Sequence, residues 1–169
     1  MTIPTIQTDR LTLRAFTEAD VDIMYSILSG KDVLRYFPPN PDPITRERAK
    51  KMITRILSHW EEHGYGLWAV TLAETGQLLG RCGIQYIPET DEVEVDFILD
   101  REFWGRGYAT EAGKASLKYG FDNLDVDEII GLVHPENIAS QRALQKIGMQ
   151  YIETKEYFGM IVQRYVIER

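Results

Sequence analysis

The chain has 169 residues, the length of one ordinary domain and too short for two. A formal charge of −7 (19 Lys and Arg against 26 Asp and Glu) weighs against nucleic acid as a partner, and 44% hydrophobic residues exclude a disordered chain. No apolar run approaches the roughly 20 residues that span a bilayer, and Met1–Pro4 lacks a basic-then-apolar secretion signal, so a soluble cytoplasmic protein with no membrane partner is expected.

From the N-terminus, Leu11 to Phe16 alternates at period two and reads as a first strand. Thr17 then caps a helix with acids in its first turn and Val21, Met24, Tyr25 and Leu28 at helical spacing. The proline-rich segment Tyr36 to Pro43 can be neither helix nor central strand, so it is a loop. Thr45 caps a second helix with an apolar stripe at Ala49, Met52, Ile53, Ile56, Leu57 and Trp60. His59 and His63 stand four apart on it without a third ligand, which reads as a solvated helix face and not a metal site.

The period then changes. Leu67 to Leu72, a turn at Glu74–Gly76, and Leu78 to Ile87 form a hairpin. The single cysteine, Cys82, lies mid-strand as a small core hydrophobe, and it excludes a disulfide framework or a Cys-rich zinc site. After a turn at Pro88–Asp91, Glu92 to Leu99 alternates acid and hydrophobe until Phe97, which predicts either a bulge or two covered faces at its end. A small-residue helix to Phe121, a strand from Glu128 to His134 and a helix from Asn137 to Ile147 follow, with Gly148 as the stop. Strands near Met149–Glu153 and Met160–Ile167 close the chain. The order predicts one α/β (α+β) domain over residues 1–169, with about four helices on a mixed, mostly antiparallel twisted sheet and one crossover unit.

Trp104 to Ala109 joins a strand to a helix. Its glycines permit a tight turn that presents successive N–H groups at a helix N-terminus, a geometry that binds phosphate, with Arg106 as a bidentate donor. A dinucleotide fingerprint fits less well, because Thr110 stands where a third glycine belongs and the preceding strand is acidic. A glycine-rich turn without a ligand remains the plain alternative.

Gly105 to Ala112, followed after a strand by Asn137–Ser140 and Lys146–Met149, resembles the GCN5-related N-acetyltransferases. The opening segment Thr8 to Ala15 is similar to the branch named for bacterial ribosomal-protein N-terminal acetyltransferases. The resemblance runs from about Thr8 to the end, with a motif-bearing core at about 8–168. It implies acetyl-CoA as donor, an amine acceptor (a small molecule or a protein N-terminus), and no metal; a homodimer is compatible with it. By carry-over, backbone groups of Phe97, Ile98 and Leu99 pair with the pantetheine arm. Trp104 opens the phosphate loop, and the amides of Gly105, Arg106, Gly107, Tyr108, Ala109 and Thr110 hold the pyrophosphate. Asn137 bonds the pantetheine, and Ser140 lies near the sulfur. Arg101, Arg106, Arg142 and Lys146 add positive potential against a repulsive background, whereas Lys114 and Lys118 read as solvated helix residues.

Amide formation needs an uncharged amine, and a carboxylate at the acceptor end can take its proton directly or through water, with a water chain or the amine's own equilibrium as the alternative. Glu94 matches the family's strand glutamate, while Glu92 reads as an exposed polar-face residue. Leu144 stands where many members carry a tyrosine acid, which leaves Ser140 or water to protonate the thiolate. Asp96 either adds negative potential beside Glu94 or forms an internal salt bridge. Tyr36 and Phe37, in the loop Arg35–Pro39, are expected in the acceptor wall. With Glu94 and Asp96 opposite, that wall predicts a positively charged primary amine as acceptor. A non-catalytic acyl-CoA-binding or sensing domain of the same fold is the alternative function.

Overall fold

The structure, a computed structural model, describes residues 2–169. Its strands are β1 (Ile6–Gln7), β2 (Leu11–Arg14), β3 (Leu67–Leu72), β4 (Leu78–Ile87), β5 (Glu92–Leu99), β6 (Glu128–Val133), β7 (Gln150–Tyr157) and β8 (Met160–Glu168). They form one eight-stranded sheet in the order β1-β2-β3-β4-β5-β6-β8-β7, antiparallel except where β5 meets β6. The α-helices are α1 (Val21–Leu28), α2 (Arg46–His63), α3 (Tyr108–Asn123) and α4 (Ile138–Lys146), with single 3₁₀ turns before α1 and before the glycine loop.

The elements form for local reasons that the sequence states plainly. Leu11 and Leu13 are buried while Thr12 and Arg14 are not, the period-two signature of β2. Before α1, the Asp20 carboxylate accepts the Thr17 backbone N–H at 2.8 Å and grips Arg14 through two 2.8 Å bonds. Thr45 Oγ1 accepts Arg48 N–H to start α2, and Gly64 ends it in the left-handed region at φ +78°. The α2 stripe buries Ala49, Ile53, Ile56 and Trp60, each large side chain contributing about 1.5–3 kcal/mol on leaving water. Trp60 spends its indole N–H on the Leu67 carbonyl at 2.9 Å, so nothing polar is stranded beneath the helix.

The β4–β5 register runs unbroken from Ile87↔Glu92 to Gly80↔Leu99. The lost alternation at the end of β5 therefore marks two covered faces, with Ile98 and Leu99 both buried, and not a bulge. Gly80 lies at φ +152° so close to β5 that a methyl group there would overlap the Ile98 carbonyl. β5 and β6 register only at Glu94↔Ile130. Past that pair the parallel ladder is not continued, and the outer backbone groups of β5 are left without a strand partner.

Three expectations are corrected. The seventh strand does not stop at Glu153 but continues to Tyr157, because Phe158 (φ +53°) and Gly159 (φ +75°) make the hairpin turn there. His59 is no solvated residue: its Nδ1–H donates to the Tyr65 carbonyl at 2.8 Å and its Nε2 accepts the Tyr86 N–H at 3.0 Å. This pins α2 to β4, and burial depresses its basicity below that of an ordinary histidine. Glu92 is likewise held inside, accepting from Tyr157 Oη at 2.7 Å and Arg164 Nη2 at 2.8 Å after the final hairpin folds β8 beyond β6. Burial alone would raise its carboxyl, yet hydrogen bonds from Thr90, Tyr157 and Arg164 hold it below the usual range.

Candidate active site

Two cavities open where β5 and β6 part. The larger, about 590 Å³, is lined by Phe97–Leu99, the glycine loop and the start of α3, and by Asn137, Ser140, Arg142 and Lys146 of α4 and its cap. The smaller, about 290 Å³, is lined by Arg81, Gln85, Glu94, Val95 and Asp96 on one side and Leu132, Val133 and His134 on the other. Tyr36, Phe37, Phe97, Asn137 and Ser140 line both, so the cavities meet there.

Gly105 (φ +74°) and Gly107 (φ +81°) put two left-handed residues into the loop, and Gly107 caps α3. The first intrahelical bond runs from Glu111 N–H to Gly107 O, so the N–H groups of Tyr108, Ala109 and Thr110 precede it and have no intrahelical acceptor. Such a terminus attracts an anion. The loop is clamped from outside by residues to which the sequence reading gave no role. Glu111 accepts from Thr8 Oγ1, Arg10 N and Arg10 Nε at 2.7–2.8 Å, and Arg10 Nη1 donates to the Arg106 carbonyl. The Arg10 guanidinium also lies 4.4 Å from the centre of the Tyr108 ring. No spacing rule reveals a partner some hundred residues away. At the other end, Trp104 Nε1 donates to the Leu99 carbonyl and ties the loop to β5.

The residues expected at the cofactor site line the larger cavity, except for the side chains of Arg106 and Arg101. Arg106 turns outward over Phe103, 5.7 Å from the ring centre, and does not line the cavity. Arg142 and Lys146, one helical turn apart, do line it. Arg101 pairs instead with Asp32 at 2.9 Å, anchoring the loop after α1. Lys114 is exposed, and the exposed Lys118 pairs with Asp122.

In the smaller cavity, Gln85 Nε2 donates to Glu94 Oε1 at 2.7 Å. Burial, reinforced by the charge of Asp96, pushes the Glu94 carboxyl up to about 8 against the opposing pull of Gln85 and Arg81. Asp96 forms an ion pair with Arg81 at 2.8 Å. Arg81 Nε is buried without a partner among the described residues, a cost that makes this pair poorly explained by stability alone. Leu144, one turn beyond Ser140, is buried against the same cavity and carries no proton. Cys82 is fully buried beside Ser116, and burial pushes its thiol up to about 12.

Sequence reasoning missed His134 and the final hairpin tip. His134 stacks on Tyr36 with ring centres 5.1 Å apart, and its Nδ1 accepts the Glu136 N–H. Tyr157 and Phe158 line the smaller cavity from β7 and the turn after it.

The family model described as the acetyltransferase (GNAT) domain matches residues 10–150. The chain belongs to this acetyltransferase family. It is 32% identical over 148 residues to a Bacillus licheniformis protein named an uncharacterized N-acetyltransferase, p20, covering 86% of this chain and 82% of that one. An acetyltransferase from Agrobacterium tumefaciens str. C58, 26% identical, superposes with a TM-score of 0.87 over 100% of this chain and 96% of its own. At 19% identity, RimL, a ribosomal L7/L12 α-N-protein acetyltransferase in complex with coenzyme A, shares the fold with a TM-score of 0.81 over 98% of both chains. The eight-stranded, mostly antiparallel sheet with four α-helices is thus the GNAT fold. No helix among the described residues is long and apolar enough to cross a membrane, and no group of three potential metal ligands occurs among them.

Proposed function

We propose that this chain is a single catalytic domain that transfers an acetyl group from acetyl-CoA to a primary amine, by direct attack within a ternary complex in the cytoplasm. The observation that carries the reading is the junction of the two cavities at Asn137 and Ser140, with Glu94 lining only the cavity beyond it. The family match and the coenzyme A bound to RimL support the donor. When bound, acetyl-CoA supplies an activated acetyl thioester.

The chain's own residues do the rest. The amides of Gly105–Thr110 hold the pyrophosphate at the α3 terminus, where orphan N–H groups and the helix dipole favour anions. Arg142 and Lys146 offset the net negative charge of the protein for the phosphates. Outward backbone groups of Phe97–Leu99, with Asn137, hold the pantetheine arm, and Ser140 sits near the sulfur. Tyr36, Phe37 and Asp96 bound the acceptor. Glu94 takes the proton from the attacking amine, and a carboxyl poised near 8 is far better matched to an ammonium than one at 4.5. As the C–N bond forms and the C–S bond breaks, the thiolate leaves bare or is protonated by Ser140 or water, since Leu144 has nothing to give. An ordinary thiol ionises near 8 to 9, so unassisted departure is tolerable.

A sensing domain would bind acetyl-CoA equally well but has no use for a buried carboxyl across the junction. The deciding experiment is thiol release from acetyl-CoA by purified protein with a panel of amines. Release with at least one amine supports transfer. Tight binding of acetyl-CoA with no release across the panel sinks it.

A further inference from the structure

Asp96 cannot serve as a free anion for an acceptor, because Arg81 already neutralises it within the cavity wall at 2.8 Å, with both side chains about 15% exposed. That corrects the basis for expecting a positively charged acceptor. Glu94 is then the one carboxyl left uncompensated in the lining, and in the transfer reading it is committed to the reacting amine itself. No second acid remains for a second ammonium.

Much of the remaining wall is apolar, alongside Tyr36, His134, Asn137, Ser140 and Tyr157. Phe37 and Pro38 face it from the loop before α2, Leu144 from α4, and Phe158, Met160 and Val162 from the last hairpin. Phe158 is 52% exposed and held at φ +53°, a backbone region costly for a bulky residue. The hairpin turn accounts for that backbone, but a half-exposed aromatic ring at a cavity rim is well placed to contact a ligand.

We infer that the acceptor is a small monoamine whose single amine meets Glu94 and whose apolar or aromatic body fills the pocket between Phe37, Leu144 and Phe158. The inference rests on the acetyl-transfer reading and deepens it. A second charge carried into this pocket loses its hydration and gains no partner. A cavity of about 290 Å³ suits a ring and a short linker, at the lower end of small-molecule sites.

The test compares kcat/KM for 2-phenylethylamine, n-butylamine, 1,4-diaminobutane and spermidine at saturating acetyl-CoA, read by thiol release. 2-Phenylethylamine should exceed 1,4-diaminobutane by about tenfold or more, with n-butylamine also ahead of the diamine. Phe158→Ala, at an exposed turn, should raise the KM for 2-phenylethylamine about fivefold or more while leaving coenzyme A affinity unchanged. Arg81→Met should free Asp96 and shift the ranking toward the diamine. Equal or better use of the diamine or spermidine by the wild type overturns the inference and leaves acetyl transfer standing. So does an unchanged ranking in both variants. Coenzyme A binding without thiol release from any amine overturns both readings.

Discussion

Gln85 and Glu94 stand directly opposite each other on β4 and β5, and the Gln85 amide donates to the Glu94 carboxyl at 2.7 Å. The bond orients the carboxyl whether or not it is ionised, because one oxygen accepts and the other is left to exchange a proton. Glu94 is also the residue at which β5 last registers with β6. The proposed base therefore sits at the edge of the opening and not within it, fixed by the sheet on both sides.

The first prediction concerns pH. Glu94 must be ionised to accept a proton, and its carboxyl lies near 8, above the ordinary value, through burial first and the Asp96 charge second. Activity should therefore rise about tenfold per pH unit below 8 and level off above it. The same raised value means that the fold favours the protonated form. Stability contributed by that form is complete below about pH 4.5 and lost as pH rises through 8. Glu94→Gln should cost roughly 10²- to 10⁴-fold in turnover, remove the inflection, and flatten the stability slope, with acetyl-CoA affinity little altered. Rate profiles and thermal melts across pH 5–9 check all three.

The second prediction concerns the phosphate loop. Gly107 lies at φ +81°, where a β-branched residue is strained by about 1–2 kcal/mol, and a Cβ there would also crowd Arg10 at 3.3 Å. Gly107→Val should raise the acetyl-CoA dissociation constant about tenfold or more by calorimetry, because the amides leave their pyrophosphate geometry. Unchanged affinity in a folded variant would remove the loop from the binding site.

The third prediction concerns covalent chemistry. Cys82 is fully buried with its thiol near 12, so almost no thiolate exists at neutral pH to carry an acetyl group. Cys82→Ala should keep at least about half of wild-type kcat, and mass spectrometry of protein mixed with acetyl-CoA should show no added acetyl group at Cys82. A folded but inactive Cys82→Ala would replace direct transfer with a two-step mechanism.

The fourth prediction concerns acid. His59 holds the Tyr65 carbonyl and the Tyr86 N–H together only as a neutral ring, since an imidazolium cannot accept. Its folded value is depressed, chiefly by burial, so its contribution is present above about pH 6.5 and lost as pH falls through the folded value. The lost bond is worth about 1 kcal/mol, or about 2–4 °C in Tm. The wild type should lose this much more than His59→Asn between pH 7.5 and pH 5. Parallel melting curves would show that His59 has no such role.

Local features of the chain were legible because their causes are local. Thr45 and Gly64 bracket α2 by their own conformational preferences, and the glycines of the Trp104–Ala109 loop announce a turn onto a helix. The fold and the placement of Glu94, Ser140 and the loop followed from such signals together with the family likeness. What escaped depends on long-range closure. The Arg10–Glu111 clamp joins residues 101 apart, and Arg164 reaches Glu92 across 72 positions. Glu92 and His59 look solvated in sequence because nothing nearby in the chain covers them. The course of the Arg106 side chain was not legible for a related reason: its backbone belongs to the loop, but its guanidinium lies over the ring of Phe103 and does not line the cavity.

The contact between Gly80 and the Ile98 carbonyl sets a limit on how this protein could be remodelled. A clash between two backbones has no rotamer solution, so even alanine at position 80 would push β5 sideways at the residues assigned to the donor's arm. Phe158 has no such restraint, since half of its ring already faces water. A randomised library aimed at new amine acceptors should therefore hold position 80 constant and place its diversity at Pro38 and Phe158, which line only the smaller cavity. There the surface can be rewritten while the machinery that holds the donor stays in register.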